Sequence, residues 1–526
     1  MSSKKKEIER TDVEKAIWEI AHDLRGSVDG WDFKNFVLIA MFYRQISEAM
    51  ERYFNEHEWE SGDKDFDYSK LTDELAAVAR DEAIKAKGYF IAPSQLFCNI
   101  AKNVMTAEAQ KDLNKTLEDI FKSIVESSVG TKSEENFRGL FDDFDVNSNK
   151  LGPTLEQRNF KLAKLIKGIA DMHLADHSDA MNDSFGDAYQ FLLTMYASDA
   201  GKSGGEFFTP ADASELVVRL ATIGRASVNK IYDPCCGSGS LLLKAAQILG
   251  SENVKKFYGQ EINFTNYNLC RINMFVHDVG YERFSIKNDD TLKHNQHAGN
   301  MPFDVIVSNP PYSIHWDGED DPILINDERY APAGVLAPKS KADMAFLMHM
   351  LHCLDNSGTA AVVCFPGIFY RKGAEQKIRK YMVDNNFVDA VIQLPSNLFF
   401  GTSIATCILV LKKSRTISDI AFIDASAEFV KQTSDNVLSK ENIDNIVKLY
   451  ADRQNVDYKA AIVPKQKVVE KDYNLSVSSY VEKEDTRPPI DIKQVNAEIA
   501  RLVAEGNELR VKVDEIVAAI EAKRDD

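Results

Sequence analysis

The chain lacks any long run of apolar residues. Hydrophobic residues make up 44% of its 526 positions, an ordinary share for a globular protein. The run at residues 36–43 is far shorter than the roughly 18 residues that a membrane span needs. The basic first residues are not followed by an apolar stretch, so we expect no signal peptide. These absences predict a protein of the cytoplasm that does not contact a membrane.

Metal-binding motifs are also missing. The chain has seven cysteines without repeated C-x-x-C pairs, and the adjacent Cys235 and Cys236 do not suit zinc chelation. The ten histidines include no H-E-x-x-H pair. Residues 143–147 begin like a calcium loop, but Ser148 stands where the turn glycine belongs and Thr154 where the final glutamate belongs. We therefore expect a reduced protein with no metal site.

Positive charge is in short supply. The chain has 81 acidic and 63 basic residues, a net charge of −18. Affinity for DNA depends mainly on contacts of lysine and arginine with phosphates, so a lone acidic chain should bind DNA poorly. Three explanations stay open for any DNA-related motif in this sequence. Either the motif is misleading, or another chain supplies most of the affinity for DNA, or this acidic protein carries a local basic surface.

The first two regions of the chain differ in their patterns. Residues 1–170 have apolar side chains at helical spacing, beginning after a capping box formed by Thr11 and Glu14, and show no alternation of strands and helices. Residues 171–430 alternate short β-branched runs with helical stretches, which predicts an α/β fold with a mostly parallel sheet. These runs lie at residues 230–232, 256–259, 305–308, 360–365, 389–394, 407–412 and 419–423.

The last part of the chain contains a mixed extension and a heptad repeat. Residues 431–489 are polar and mixed, and the prolines at 488 and 489 break the chain. In residues 490–526, apolar side chains recur at spacings of three and four, as in an a/d seam. The seam could pack on its own domain, but its position after a Pro-Pro hinge favours a coiled coil with a partner. Its members are Ile492, Val495, Ile499, Leu502, Leu509, Val513, Ile516 and Ile520.

A glycine turn follows the first predicted strand of the α/β region. Glycines there let the backbone approach a ligand closely. Leu242 stands where a dinucleotide fingerprint needs its third glycine, which argues against a nicotinamide cofactor. Asp233, just before the turn, instead suits a ligand with an amino group, such as S-adenosylmethionine. The turn itself contains Gly237, Ser238, Gly239 and Ser240.

Further carboxylates follow the next two strands. Glu261 lies about 20 residues beyond the glycine turn, where a carboxylate can accept both ribose hydroxyls of an adenosine. Asp289 or Asp290, after the third strand, is placed to meet the adenine amine, and we favour Asp290. Each carboxylate alone is more often a helix cap or a solvated loop residue. Their order after successive strands indicates a cofactor site.

The sequence Asn309-Pro310-Pro311-Tyr312 follows the next strand. The prolines fix the backbone and remove two donors, so the Asn309 side-chain oxygen and the Pro310 carbonyl can both accept hydrogen bonds from an sp² amine. Tyr312 offers a flat face for stacking. Such a site can methylate the amine of a base, which would have to be flipped out of a duplex.

The order of these motifs resembles the modification (HsdM) subunit of type I restriction–modification systems, a family of adenine-N6 DNA methyltransferases. The resemblance implies a Rossmann-like methyltransferase domain with a mostly parallel seven-stranded sheet, a helical N-terminal domain and a C-terminal helix. Matching segments span nearly the full length, and besides the glycine turn and N-P-P-Y they lie at residues 25–33, 140–148, 205–210, 337–343, 394–403 and 473–477.

The resemblance also implies site residues and partners. Glu206, Phe208, Thr209 and Pro210 would line the S-adenosylmethionine pocket. Two copies of the chain would assemble with one specificity subunit, which recognises the DNA sequence, and an ATP-dependent restriction subunit could join them. DNA would then be bound through the complex, which would explain the acidic charge.

Other functions share parts of this pattern. A protein N5-glutamine methyltransferase uses the same acceptors on a side-chain amide, but the helical region 1–170 and the insert at residues 313–341 are excessive for that activity. Methylation of RNA amines or of cytosine N4 are nearer alternatives. A clamp that has lost catalysis is disfavoured by the intact Asp233, Glu261 and N-P-P-Y motif.

Overall fold

The computed structural model describes residues 30–172, 186, 189, 191–192, 209–399, 402–432, 435–484 and 491–522. Three predictions lie outside these residues: the capping box of Thr11 and Glu14, the pocket role of Glu206 and Phe208, and the hinge at the prolines 488 and 489. The chain divides into two compact units, residues 1–481 and residues 482–526. Among the described residues, no helix is both long enough and apolar enough to cross a membrane.

The N-terminal part of the first unit is helical, as predicted. Helix α1 is central, and its run 36–43 is buried on all sides because α1 packs against α4, α8 and a helix of the α/β part. Helix α6 is amphipathic and buries Leu117, Ile120 and Ile124 on one face. The helices are α1 Gly30–Ser61, α2 Asp73–Ala76, α3 Arg80–Lys87, α4 Phe97–Asn103, α5 Ala107–Lys111, α6 Leu113–Ser128, α7 Glu134–Phe137 and α8 Leu155–Asp171.

The α/β part contains a nine-stranded sheet in the order β11-β8-β6-β7-β5-β4-β1-β2-β3. Strands β3, β2, β1, β4 and β5 are parallel, β7 is antiparallel to both of its neighbours, and β11 is antiparallel to β8. The strands are β1 Val228–Asp233, β2 Val254–Glu261, β3 Phe284–Asn288, β4 Phe303–Ser308, β5 Leu354–Cys364, β6 Val388–Gln393, β7 Cys407–Lys412, β8 Ile420–Asp424, β9 Val430–Lys431, β10 Asn436–Val437 and β11 Ala460–Val463.

The prediction of seven strands was wrong in number. After β7 the chain adds β8 beside β6 and then β11 at the edge. Strand β8 coincides with the predicted run 419–423, whereas β11 has only four residues and lies in the region that the sequence marks as mixed. Strands β9 and β10 form a separate antiparallel pair.

Helices cover both faces of the sheet. Val305 and Val307 of β4 belong to one apolar cluster and Ile306 to the other, since successive strand residues point to opposite faces. The helices are α9 Ala211–Thr222, α10 Ser240–Leu249, α11 Phe264–Val276, α12 Asp343–Cys353, α13 Ala374–Asp384, α14 Lys440–Asp452 and α15 Lys465–Glu470.

The N-terminal helices and the α/β part share a core. Ile272 and Val276 of α11 belong to the apolar cluster of the N-terminal helices. The Gln45 side chain of α1 also donates a hydrogen bond to the Val276 carbonyl, at 2.8 Å. Helix α11 therefore connects the N-terminal helices to the sheet.

The second unit consists of helix α16, Ile492–Ala522. Every side chain described in it is exposed, including the eight members of the predicted seam. The helix therefore has a stripe of exposed apolar side chains, interrupted at Gly506.

Candidate active site

The site lies at the carboxyl edge of the parallel strands. Strand β1 stands between β4 and β2, where the strand order reverses, and such a switch point opens a crevice for ligands. In the strand register, Asp233 pairs with Gly259 and Glu261 pairs with Asn288. A cavity of about 360 Å³ opens at this edge. Its lining includes Glu261, Asn266, Asp290, Asn309, Pro311, Trp316 and Phe346.

The glycine turn needs glycine at two positions. Gly237 and Gly239 have φ angles of +52° and +84°, in the left-handed region that side chains disfavour. A Cβ atom at Gly239 would also lie 2.8 Å from the Cys270 sulfur of α11. The Gly237 amide donates to the Glu261 carboxylate at 3.0 Å. Together these contacts tie the turn to the end of β2.

Asp233 is a buried carboxylate. Its Oδ1 accepts hydrogen bonds from the Ser308 hydroxyl at 2.7 Å and from the Cys235 amide at 3.0 Å. Burial raises the pKa of Asp233 to about 7, and the nearby charge of Glu261 adds to the shift. A cationic partner would stabilise the ionised form of such a group.

Glu261 is the more accessible of the two carboxylates, because it lines the cavity. It accepts hydrogen bonds from the amides of Gly237 and Asn263, at 3.0 and 2.9 Å. Burial raises its pKa as well. The lining of the cavity does not include Asp233 or the residues of the glycine turn, Gly237, Ser238, Gly239 and Ser240. The turn lies next to the cavity because the Gly237 amide contacts Glu261, which lines it.

The two adjacent aspartates have different surroundings. The Asp289 carboxylate accepts from Gln296 at 2.6 Å and contacts the His294 ring at 3.1 Å. Burial opposes ionisation of Asp289, but these hydrogen bonds lower its pKa overall. Asp290 lines the cavity, and its side chain accepts from the Leu292 amide at 2.9 Å. The geometry therefore favours Asp290 as the ligand-facing residue.

Arg329 holds the loop that follows Asp290. Its buried guanidinium donates to the carbonyls of Thr291 and Leu292, at 2.7 and 2.9 Å, and is itself paired with Asp327 at 2.7 Å. Arg329 lies in the insert at residues 313–341, to which sequence reasoning gave no role. No local motif marks it, because its partners are main-chain atoms about 40 positions away.

The N-P-P-Y segment contacts Thr209, which with Pro210 is the described part of the family segment 205–210. The Asn309 amide nitrogen donates to the Thr209 hydroxyl at 3.2 Å, and Pro210 directly precedes α9. The Asn309 oxygen, predicted to face an amine, accepts a hydrogen bond from the Tyr312 hydroxyl at 2.7 Å. Tyr312 is partly buried against the apolar cluster that contains Val307, and this burial raises its pKa.

The insert supplies a wall of the cavity that the sequence did not reveal. Trp316 is fixed by hydrogen bonds from its amide to the Lys339 carbonyl and from its ring to the Pro338 carbonyl, at 2.9 and 3.1 Å. Phe346 of α12 lines the same cavity. Segment 337–343 matched the family pattern, but only the fold brings it to Trp316.

Helix α11 contacts the glycine turn on one side and the N-terminal helices on the other. Asn273 donates to the Ser238 carbonyl at 2.8 Å. Arg271 is buried and donates to the carbonyls of Glu135, Asn136 and Arg138, at 3.0, 3.2 and 2.9 Å. Helix α11 therefore links the N-terminal helices to the glycine turn.

No group of three or more histidine, cysteine or carboxylate side chains suited to a metal ion occurs in the part of the chain that the structure describes. The carboxylates at this edge are instead engaged by amides and hydroxyls. The sheet, the glycine turn, the carboxylates and N-P-P-Y together have the architecture of an S-adenosylmethionine-dependent methyltransferase.

Comparison with known proteins gives the family. The family model for N-6 DNA Methylase matches residues 180–488, and that for the HsdM N-terminal domain matches residues 13–169. The chain is 50% identical over 536 aligned positions to the type I restriction enzyme MpnII methylase subunit of Mycoplasma pneumoniae, covering 99% of this chain and 98% of the relative. The chain therefore belongs to the N-6 DNA methylase family, among the methylase subunits of type I restriction enzymes.

Two further matches agree. The MjaVII methylase subunit of Methanocaldococcus jannaschii is 30% identical over 372 positions, which cover 68% of this chain and 62% of that protein. The crystal structure of a type I restriction–modification methyltransferase subunit from Streptococcus thermophilus superposes with a TM-score of 0.81 at 33% identity, covering 90% of this chain and 100% of that one.

Proposed function

We propose that this chain transfers a methyl group from S-adenosylmethionine to N6 of a flipped-out adenine in DNA, as the modification subunit of a type I restriction–modification complex. The observation that carries the proposal is the position of Asn309. Its side chain lines the cavity bordered by Glu261 and Asp290. One residue thus borders both the proposed cofactor site and the proposed base site.

The cavity fits the cofactor in size and chemistry. Its volume of about 360 Å³ lies within the roughly 300–1,000 Å³ of small-molecule sites. Glu261 would accept hydrogen bonds from the ribose hydroxyls of the cofactor, and Asp290 would accept one from its adenine amine. Asp233 would accept one from its α-amino group. Thr209 and Pro210, with Glu206 and Phe208, would complete the pocket. When bound, S-adenosylmethionine supplies an electrophilic methyl group on a sulfonium.

The base site would work by orienting an amine. The Asn309 oxygen and the Pro310 carbonyl accept its two hydrogens, which directs the nitrogen lone pair toward the methyl group. The Tyr312 hydroxyl would release the Asn309 oxygen, and its ring would stack on the base. The hydrogen bond from the Tyr312 hydroxyl to Asn309 would thus be replaced by one from the amine of the base. Attack by the amine nitrogen would displace the sulfur of the sulfonium from its methyl group, and the methylated amine would then lose a proton to solvent.

The proposed partners are those that the family resemblance implies, and the charge and the exposed surface of this chain agree with them. We assign DNA recognition to a specificity subunit, with a second copy of this chain and a restriction subunit in the complex. A net charge of −18 and the exposed apolar stripe of α16 support this assignment. Residues 1–170 would clamp DNA and contact other subunits, and residues 171–430 would form the catalytic domain. Residues 431–489 would extend that domain, and residues 490–526 would bind the partner chain. Seven free cysteines suit the reducing cytoplasm.

The test is methyl transfer from labelled S-adenosylmethionine to duplex DNA, with and without the specificity chain. We expect label on N6 of adenine only when both chains are present. Label on a protein glutamine, with none on DNA in either condition, would replace this function with the N5-glutamine activity. The Asn309→Ala chain in the same complex is the matched control and should transfer no methyl group.

A further inference from the structure

The loop after β5 leaves the sheet beside the N-P-P-Y segment. Strands β4 and β5 are parallel neighbours, and Ser308 pairs with Val362 in their register. Residues 365–373, here called the β5 loop, therefore emerge at the same edge as Asn309. The β5 loop contains the sequence Tyr370-Arg371-Lys372, one aromatic and two basic residues in a row.

Internal contacts fix the conformation of the β5 loop. The Arg371 guanidinium lies over the Phe365 ring, 4.9 Å from its centroid, and 3.5 Å from the Glu375 carboxylate. Gly367 makes room for it, because a Cβ atom there would lie 2.6 Å from the guanidinium. Gly373, with φ of +77°, ends the loop. The backbone is thus held in place before any partner arrives.

The tip of the β5 loop is exposed. The Tyr370 side chain is 56% exposed, so its ring is accessible to a binding partner. Lys372 is also exposed and has no ion pair within the described residues. An exposed aromatic next to a free cation is the combination that single-stranded nucleic acid binds by stacking and phosphate contact.

A third cation, Lys341, lies in the segment that contacts the residues after N-P-P-Y, where the Ala342 amide donates to the Ile314 carbonyl at 2.9 Å. The Ser313 amide, next to Tyr312, donates to the Asp343 carboxylate at 3.1 Å. Burial raises the pKa of the Asp343 carboxyl, and the positive charges of Arg371 and Lys341 oppose that shift. The acidic residues at 317–321 belong to the insert, where Lys293 and Lys339 pair with two of them.

We propose that the β5 loop and Lys341 hold the DNA strand beside the extruded base, with Arg371, Lys372 and Lys341 on phosphates and Tyr370 stacked on a neighbouring base. The inference rests on the proposed function and adds a surface to it. Phosphate contacts position a nucleic acid without reading its sequence. The surface would let a chain of net charge −18 grip DNA locally while the specificity subunit chooses the site.

The experiment uses the full chain assembled with its specificity chain and measures methylation of a duplex. The variants are Lys372→Glu, the milder Lys372→Gln and Tyr370→Ala. Lys256→Glu is the matched control, since Lys256 is equally exposed but lies near the start of β2, at the opposite edge of the sheet. The KM for DNA, the KM for S-adenosylmethionine, the salt dependence and the melting temperature are recorded for each.

We expect Lys372→Glu to raise the KM for DNA roughly tenfold and Lys372→Gln to raise it less. Loss of one phosphate contact should make the slope of log affinity against log salt less steep by about 0.9. Tyr370→Ala should weaken DNA binding roughly 5- to 150-fold, the range for loss of one base-stacking contact. The KM for S-adenosylmethionine and the Lys256→Glu control should not change.

Three results would overturn the proposal. One is an unchanged KM for DNA and an unchanged salt slope in both Lys372 variants. Another is an equal effect of Lys256→Glu, which would reduce the finding to overall charge. The third is a parallel loss of S-adenosylmethionine affinity, which would place the β5 loop at the cofactor. A wild-type complex that methylates no DNA would instead refute the proposed function itself.

Discussion

Substitution of Gly239 by alanine tests the glycine turn, because two separable costs meet at that position. The φ angle of +84° costs an alanine about 1–2 kcal/mol. The new Cβ atom would also lie 2.8 Å from the Cys270 sulfur, and overpacking of this kind costs about 1–3 kcal/mol. We therefore expect Gly239→Ala to lose about 2–5 kcal/mol of unfolding free energy.

Two other variants separate the costs. Gly224 has a φ of +75°, but a Cβ atom there meets nothing within 4 Å, so Gly224→Ala should lose only the backbone part, about 1–2 kcal/mol. The double variant Gly239→Ala, Cys270→Ala removes the clash and should recover part of the loss. Coupling between neighbouring residues of this kind is what a double-mutant cycle measures.

The assay is denaturant unfolding of the full chain, with calorimetric titration of S-adenosylmethionine beside it. Because the turn carries the Gly237 amide that contacts Glu261, Gly239→Ala should also weaken cofactor binding at least about tenfold, or about 1.4 kcal/mol. The Gly224→Ala control should bind normally. Equal losses for Gly239→Ala and Gly224→Ala, or no recovery in the double variant, would refute the argument.

Three further predictions concern the base site, the cofactor site and the C-terminal unit. Asn309→Ala and Tyr312→Ala should each abolish methyl transfer while calorimetry finds cofactor binding nearly intact, and activity retained in both would show that the base binds elsewhere. The pKa of Asp233, raised to about 7, means that its carboxylate protonates as the pH falls below 7, so affinity for the cationic cofactor should decrease from pH 8 to pH 6. Asp233→Asn should bind weakly and without that pH dependence, and an unaltered pH profile in this variant would exclude Asp233 as the titrating group. Removal of residues 490–526 should leave a folded chain that no longer co-purifies with its specificity chain, whereas continued co-purification would disprove the coiled-coil interpretation.

Much of the candidate site could be predicted from the sequence because its motifs are local. Asp233, Glu261 and Asn309 each follow a recognisable strand, and the carboxyl ends of parallel strands meet at one edge of a sheet. Their order along the chain therefore predicts that the three side chains lie close together. The helical character of the N-terminal part was likewise visible in its apolar spacing, as α6 illustrates.

Other features needed the tertiary structure. Strands β8 and β11 together make the sheet nine-stranded instead of seven-stranded. Strand β11 has only four residues and pairs with β8 at the edge of the sheet. Sequence reasoning favours Asp290 over Asp289, but it does not reveal what Asp289 contacts. The fold places His294 and Gln296 against the Asp289 carboxylate.

The sequence by itself determined the chemistry at the strand ends, because a motif of adjacent residues keeps its geometry wherever the fold places it. Only the tertiary structure decided which distant residues support that chemistry. Thr209 meets Asn309 across 100 positions, and Arg271 joins α11 to carbonyls more than 130 positions away. The two members of such a pair lie far apart in the sequence, and no motif contains both of them. Their contact therefore follows only from the way the chain packs.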